Sequence, residues 1–149
     1  EPPKEEYMSE RPIKKGSGLF IRGAKKRIAI STAAFIALYG IITFSPVSNM
    51  FATDAEAMTA RFALLCFMAV FNGFNIRTEH MNLFKGIGKN KLFSYIAVGI
   101  CAMTVILCDF AGALIKATAL DLNHWLVIIA LAFMVIPVDL VRKAVDNRK

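Results

Sequence analysis

The sequence is poor in the residues from which enzymatic and metal sites are usually built. Its 149 residues include two histidines and three cysteines, and neither Gly-x-x-x-x-Gly-Lys-Ser/Thr nor Gly-x-Gly-x-x-Gly occurs, so no nucleotide-binding loop of these kinds is present. His80 and His124 lie in different connections between apolar runs, and the distribution of Lys and Arg described below places these connections on opposite faces of a membrane. They are therefore not expected to share a metal ion. Cys66, Cys101 and Cys108 are odd in number, form no Cys-x-x-Cys and lie in apolar runs. These features favour free buried thiols over disulfides or metal ligands.

Carboxylates are also scarce where an ion carrier would need them. No Asp or Glu lies deep within an apolar run, and Asp109, Asp121 and Asp139 are all close to the ends of such runs. Charged groups inside a membrane commonly mark ion pathways. Their absence from the centre of every run indicates that this chain alone is poorly suited to carry ions.

What the sequence has in excess is apolar residues, which make up 56% of the chain, and the mean hydropathy is +0.53. They are concentrated in uncharged runs over residues 28–53, 62–76, 92–108 and 122–138. A membrane-spanning helix needs about 20 mostly apolar residues. We therefore expect an all-α, polytopic membrane protein with four spans, at 28–44, 60–76, 92–108 and 122–141. The second span takes in Arg61, whose side chain is expected to extend towards the outer surface.

The net charge of +7 is distributed unevenly along the chain. Sixteen of the 18 Lys and Arg residues lie within residues 1–27, 77–91 and 142–149, which a four-span topology places on one side. This bias predicts that both termini are cytoplasmic. The predicted division is a cytoplasmic arm at 1–27, a transmembrane domain at 28–141 and a tail at 142–149. Because the spans interrupt the positive charge, no contiguous basic surface for nucleic acid is expected.

Polar and small residues in the spans suggest contacts between helices. Asn72 and Asn75 lie in the stretch Phe71–Arg77 at the inner end of the second span. Two interpretations of these amides remain open: hydrogen bonds that hold the bundle together, which membrane helices commonly use, or the lining of an ion path. The first span carries small residues at Ala29, Ala33, Ala37 and Gly40. They indicate close helix packing, or reflect the general abundance of alanine in membrane helices.

Several residues predict where the spans end or bend. Pro46 is expected to end the first helix at Ser45, and Pro137 to kink the fourth span or loosen its last turns. Asp109 is expected to close the third span at its outer end, and Trp125 to open the fourth at the membrane interface. Near the inner end, Asp139 can pair across one turn with the basic residues three and four positions later.

The order and spacing of several short motifs resemble the C-terminal membrane region of P-type cation pumps, in the calcium-ATPase branch. The resemblance covers essentially all 149 residues. The motifs are Glu1-Pro2-Pro3 with Tyr7-Met8 and Arg11-Pro12, Phe71-Asn72-Gly73-Phe74-Asn75-Ile76-Arg77, Phe84-Lys85-Gly86-Ile87, Ala119-Leu120-Asp121-Leu122 and the stretch from Val135 to Lys143.

The resemblance implies that the four spans are helices seven to ten of a ten-helix pump. The parent protein would hydrolyse ATP with Mg²⁺ through a phospho-aspartate and transport Ca²⁺, whereas this chain would bind no cofactor and have no catalytic residue. The phosphorylation motif and the main ion-binding helices would lie upstream, and Glu1 in place of a starting Met agrees with a fragment. Its partners would be the bilayer, of a plasma or bacterial inner membrane, and the upstream helices, which it would brace as a scaffold.

The same resemblance makes specific statements about residues. Ala69 occupies the position of a calcium-ligand glutamate in two-site pumps, and its methyl group cannot coordinate Ca²⁺. A single-ion pump is therefore implied. Asn72 and Asn75 would then contact the residues that coordinate the ion and not the ion itself. The stripe at Ala29, Ala33 and Ala37 would face helix five of the pump.

An alternative hypothesis is an independent four-span protein, either an accessory subunit or a small transporter or channel. It predicts a complete reading frame with a Met directly before Glu1. It also predicts oligomers that form through Ala29, Ala33 and Ala37.

Overall fold

The described part of the chain is helical. The computed structural model describes residues 24–77, 91–110, 112 and 117–146, and no strand occurs in these ranges. The predicted arm up to residue 23, the motif at 84–87 and the last three residues of the predicted tail lie outside the described residues. The helices are α1 (Ala24–Phe44), α2 (Asp54–Arg77), α3 (Lys91–Asp109), α4 (Leu122–Phe133) and α5 (Val135–Asp146), with a 3₁₀ turn at Pro46–Met50 between α1 and α2.

Within the described residues, four helical segments are long and apolar enough to cross a membrane, as predicted. They are Ala24–Phe44, Asp54–Arg77, Lys91–Asp109 and the combined α4–α5 segment Leu122–Val145. The segments contain 21, 24, 19 and 24 residues. At 1.5 Å per residue, each is close to or longer than a hydrocarbon layer of about 30 Å.

The helix ends follow from local capping. Helix α1 stops at Phe44, as the Ser45-Pro46 pair predicts, and the Ser45 hydroxyl accepts a hydrogen bond from the Val47 amide at 3.2 Å. Helix α2 begins at Asp54 because Thr53 Oγ1 accepts from the Glu56 amide and Glu56 accepts from the Ala52 amide. These two bonds resemble a capping box, except that the Glu56 carboxylate reaches the residue before the N-cap, and they start α2 before residue 60.

The fourth span is broken at Met134. Pro137 has no amide hydrogen to donate to the Phe133 carbonyl, so the regular pattern of hydrogen bonds fails there. Instead, the Met134 amide donates to Leu131 at 3.1 Å, and the Val138 amide reaches the Met134 carbonyl only at 3.4 Å. The expected disturbance by Pro137 is confirmed. Helix α5 then runs on to Asp146, past the predicted span end at 141.

Helix α2 is the central element of the fold. It packs against α1, α3, α4 and α5, and most extensively against α4. Its buried side chains, among them Leu64 and Met68 at 0% exposure, meet Ile42 of α1 and Ile128 of α4. The core formed around α2 comprises Leu38, Ile42, Ala60, Ala63, Leu64, Phe67, Met68, Cys108, Leu120, Trp125, Ile128, Ala132 and Val135.

Asp109 organises the outer end of the bundle. It is the last residue of α3, as predicted, and its two carboxylate oxygens accept from the Leu120 amide and from Trp125 Nε1, both at 3.2 Å. The Trp125 indole packs edge-on against Phe67 and is 8% exposed. The sequence predicted that the Trp125 indole lies at the membrane interface. It did not predict that the indole is buried against other helices of the bundle. All three cysteines are free thiols, as expected.

Candidate functional site

The polar stretch at the inner end of α2 contacts two other helices. Asn72 is half-buried, and its Oδ1 accepts a hydrogen bond from Ser31 Oγ of α1 at 3.3 Å. Asn75 is 1% exposed, and its Nδ2 donates to the Val135 carbonyl at 3.0 Å. The two amides therefore face different neighbours, α1 and the start of α5.

Lys143 makes the reciprocal contact from α5 to α2. Its Nζ donates to the Asn75 carbonyl oxygen at 2.8 Å, and the residue is 1% exposed. Asn75 lies in the last turn of α2, where carbonyl groups have no partner within the helix and the helix dipole favours a cation. The ammonium group thus caps α2 from a neighbouring helix.

Asp139 balances the charge of this buried group. Its Oδ2 lies 2.9 Å from Lys143 Nζ, and its Oδ1 accepts from Arg142 Nε at 2.6 Å. The exposed fractions of Asp139, Arg142 and Lys143 are 3%, 8% and 1%. The prediction that Asp139 pairs across one turn is confirmed for both partners. We call Asn75, Asp139, Arg142 and Lys143 the inner polar cluster.

Two oxygens of the inner polar cluster have no hydrogen-bond partner among the described residues: Asp139 Oδ2, which has only its ion-pair contact with Lys143, and Asn75 Oδ1. Asn75 Oδ1 is fully enclosed and receives no donor from the residues that the structure describes. The Asn75 side chain is therefore held through its nitrogen alone. Most buried polar atoms are paired, so this oxygen is an exception at the centre of the cluster.

Aromatic contacts join the inner ends of α2 and α3. Phe74 meets Phe93 edge-on with 4.9 Å between the ring centroids, and the Arg77 guanidinium carbon lies 5.8 Å from the Phe93 centroid. A cation over an aromatic face at this distance is attracted by the ring. These contacts hold the start of α3 against the last turn of α2.

The other predicted site residues lie apart from the inner polar cluster. Ala29, Ala33 and Ala37 are exposed on α1, and a Cβ added at Gly40 would meet no atom within 4 Å. Ala69 is exposed on α2. None of the four alanines is covered by another part of the described chain, so their small side chains leave open surface.

The chemistry of these groups is that of helix packing. Among residues 24–77, 91–110 and 117–146, no three His, Cys, Asp or Glu side chains are grouped so that they could hold a metal ion. The hydrogen bonds of Asn75 and Lys143 instead join α2 to α5, and that of Asn72 joins α2 to α1. Whether Asn72 and Asn75 support ion ligands in a larger protein stays a prediction.

Sequence reasoning missed the burial of Arg142 and Lys143. It placed both in the cytoplasmic tail, because basic residues after an apolar run usually mark the membrane boundary. The available signal was the spacing of Asp139, Arg142 and Lys143, together with an unpaired amide at the inner end of another span. The sequence does not specify which helix Lys143 reaches, since that depends on how α5 lies against α2.

Comparisons with known proteins agree with the resemblance seen in the motifs. Residues 1–145 match the family described as "Cation transporting ATPase, C-terminus". The relatives include a probable plasma membrane-type calcium-transporting ATPase of Oryza sativa subsp. japonica, 26% identical over 97% of this chain. A plasma membrane-type calcium-transporting ATPase of Arabidopsis thaliana is 28% identical over 97%, and one of Caenorhabditis elegans is 27% identical over 89%. The chain spans 15%, 15% and 12% of the length of these three proteins.

Proposed function

Because the chain belongs to the family of cation-transporting ATPase C-termini, we propose that it braces the ion-transporting helices of a P-type ATPase that moves Ca²⁺. The three relatives described above are named calcium-transporting ATPases, and this supports Ca²⁺ as the transported ion. In this proposal the chain holds neighbouring helices in place and takes no part in ATP hydrolysis.

The inner polar cluster is the observation that carries the bracing role. Three charged side chains and an amide are buried where α5 meets the last turn of α2. Removing one partner of a buried ion pair costs several kcal/mol, because it leaves the other charge without compensation. The cluster therefore resists separation of α5 from α2, as a rigid support requires.

The reaction itself is proposed for parts of the protein beyond these spans. ATP and Mg²⁺ would supply the phosphoryl chemistry, and Ca²⁺ would be the transported substrate. Ca²⁺ prefers six to eight oxygen ligands, and at Ala69 this chain offers a methyl group. We therefore place the ion ligands on other helices. In this proposal Asn72 and Asn75 contact the ligand residues and not the ion.

The small-residue face of α1 supports contact with a further helix. Ala29, Ala33 and Ala37 recur every four residues, so they lie along one side of α1, and all three are exposed. Small side chains let two helix backbones approach closely. We propose that this face packs against another membrane helix of the same pump.

Replacing Ala33 by leucine tests the packing face. In the full-length pump, the larger side chain is expected to push the neighbouring helix away, reducing Ca²⁺-dependent ATP hydrolysis by about tenfold or more, since small displacements of a reacting geometry have effects of about 10²-fold. The measurement is ATPase activity in native membranes, at matched expression, together with the thermal inactivation midpoint.

Ala102→Leu provides the matched control. Ala102 is also exposed, on α3, and the same methyl-to-isobutyl change there should have little effect. If both substitutions leave activity and thermal stability unchanged, α1 does not pack against another helix through Ala33.

A further inference from the structure

One side of α3 faces α2 and carries a thiol. Four residues of α3 recur at intervals of three or four and therefore share this side: Phe93, Ala97, Cys101 and Thr104. Ala97 and Thr104 are buried, and Cys101 packs against the core around α2. Among the described helices, α3 packs mainly against α2. The side that carries Cys101 is therefore the one that meets α2.

The facing side of α2 carries a second thiol, that of Cys66. Two residues of α2 contact Phe93 of α3: a Cβ added at Gly73 would lie 3.7 Å from the Phe93 ring, and the Arg77 guanidinium carbon lies 5.8 Å from the ring centroid. Cys66 precedes Gly73 by seven residues, which is about two turns of helix. It therefore lies on the same side of α2 as the residues that meet Phe93.

The two thiols lie at the same level of the antiparallel helix pair. From the contact between Gly73 and Phe93, Cys66 is about 10.5 Å further towards the outer surface, at 1.5 Å for each of seven residues. Cys101 is about 12 Å from the same contact in the same direction, at eight residues. The difference in level is about 1.5 Å, the rise of a single residue.

Small residues bring the two backbones close beside the thiols. Gly73 has no side chain, and Ala97, one turn before Cys101, is 7% exposed. Cys66 also lies close enough to both Cys101 and Cys108 to interact with them electrostatically. Cys108 is about 10 Å further along α3 than Cys101. Because a disulfide needs Cα atoms within about 7 Å of each other, the level of Cys66 favours Cys101 as its partner.

The depth and exposure of the thiols determine which reagents reach them. Cys66 and Cys101 are half-buried, whereas Cys108 is 0% exposed. Cys66 is 11 residues, or about 16 Å, from Arg77, so both half-buried thiols are near the middle of a hydrocarbon layer about 30 Å thick. An oxidant that dissolves in lipid, such as an organic hydroperoxide, reaches this depth.

We propose that Cys66 and Cys101 are an oxidation site at which an organic hydroperoxide joins α2 to α3 through a disulfide. One thiol attacks the peroxide bond, becomes a sulfenic acid and releases an alcohol. The second thiol then attacks the sulfenic sulfur and releases water. The two thiols lose two electrons and two protons, and the hydroperoxide is reduced to the alcohol and water. Both thiols are free in the structure, which represents the reduced form.

Peptide mapping of the full-length protein in native membranes tests this site. The membranes are treated with cumene hydroperoxide, the remaining free thiols are alkylated in detergent, and the protein is digested with trypsin. Cleavage after Arg61, Arg77 and Lys91 separates the peptide that contains Cys66 from the one that contains Cys101. Mass spectrometry is expected to find these two peptides joined, and dithiothreitol should separate them.

Serine variants identify the thiols that react. Cys66→Ser and Cys101→Ser should each abolish the joined product. Cys108→Ser is the matched control, because it removes a thiol from the same side of α3 about two turns away and should leave the yield of joined product unchanged. Before oxidation, the thermal inactivation midpoint of each variant is compared with that of the unaltered protein, to show that the fold is retained.

Three results would overturn the proposal. The first is a joined product that persists in Cys101→Ser, which would make Cys108 the partner of Cys66. The second is full alkylation of Cys66 and Cys101 after peroxide treatment of the unaltered protein. The third is oxidation of each thiol to a sulfinic or sulfonic acid without a bond between them. None of these results bears on the bracing role, which the Ala33→Leu experiment tests separately.

Discussion

Replacing Asp139 by asparagine is expected to lower the free energy of unfolding by about 3–5 kcal/mol. The substitution preserves the shape of the side chain but removes the negative charge that lies 2.9 Å from Lys143 Nζ. Lys143 is 1% exposed and would then have only neutral oxygens beside it, the Asn75 carbonyl among them. Chemical unfolding of the detergent-solubilised protein, followed by circular dichroism, measures the loss.

Asp121→Asn is the matched control for this substitution. Asp121 is exposed, and its side chain makes no capping hydrogen bond to α4, so its loss should change stability by less than about 0.5 kcal/mol. The double variant Asp139→Asn with Lys143→Met should lose less than the sum of the two single losses, because both members of one pair are removed. Strictly additive losses would show that the two side chains do not stabilise each other.

Replacing Asn75 by leucine is expected to cost about 1–3 kcal/mol, because the Val135 carbonyl loses its hydrogen bond from α2. Leucine has the same branching as asparagine and as many side-chain heavy atoms, but it is bulkier and cannot donate a hydrogen bond. The fully enclosed position leaves little room for adjustment, and any misfit adds to the loss. The same unfolding measurement applies.

Asn72→Leu provides the comparison, since it makes the same substitution one turn earlier. Asn72 is half-buried and makes a single long hydrogen bond, 3.3 Å from Ser31. Its replacement in the isolated chain should be nearly neutral, within about 0.5 kcal/mol. An Asn72→Leu loss equal to that of Asn75→Leu would contradict the assignment of Asn75 to the inner polar cluster.

The number of spans and several of their ends could be predicted from the sequence, because each depends on local chemistry. Uncharged runs mark the four membrane-length helices, and Pro46 stops α1 by restricting the residue before it. Pro137 removes one hydrogen bond from the fourth span wherever that span lies. The pairing of Asp139 with residues three and four positions later follows from helix geometry alone.

The contacts between helices could not be predicted, since they depend on how the helices turn relative to each other. Trp125 has the composition of an interfacial residue but is buried, because α3 ends with Asp109 beside its indole nitrogen. Lys143 has the position of a tail residue but caps α2. The exposure of Ala33 and Ala69 likewise became visible only once α1 and α2 were placed.

The capping of α2 by Lys143 has a consequence for biosynthesis. Helix α2 is translated before α3, α4 and α5, yet the side chain that contacts the carbonyl of Asn75 in its last turn follows 68 residues later. Until Lys143 has been translated, the Asn75 carbonyl lacks this contact. A premature stop codon at residues 139–143 would therefore release a chain that keeps all four apolar runs but lacks the Lys143 contact to α2, and we expect such a chain to be less stable in the membrane.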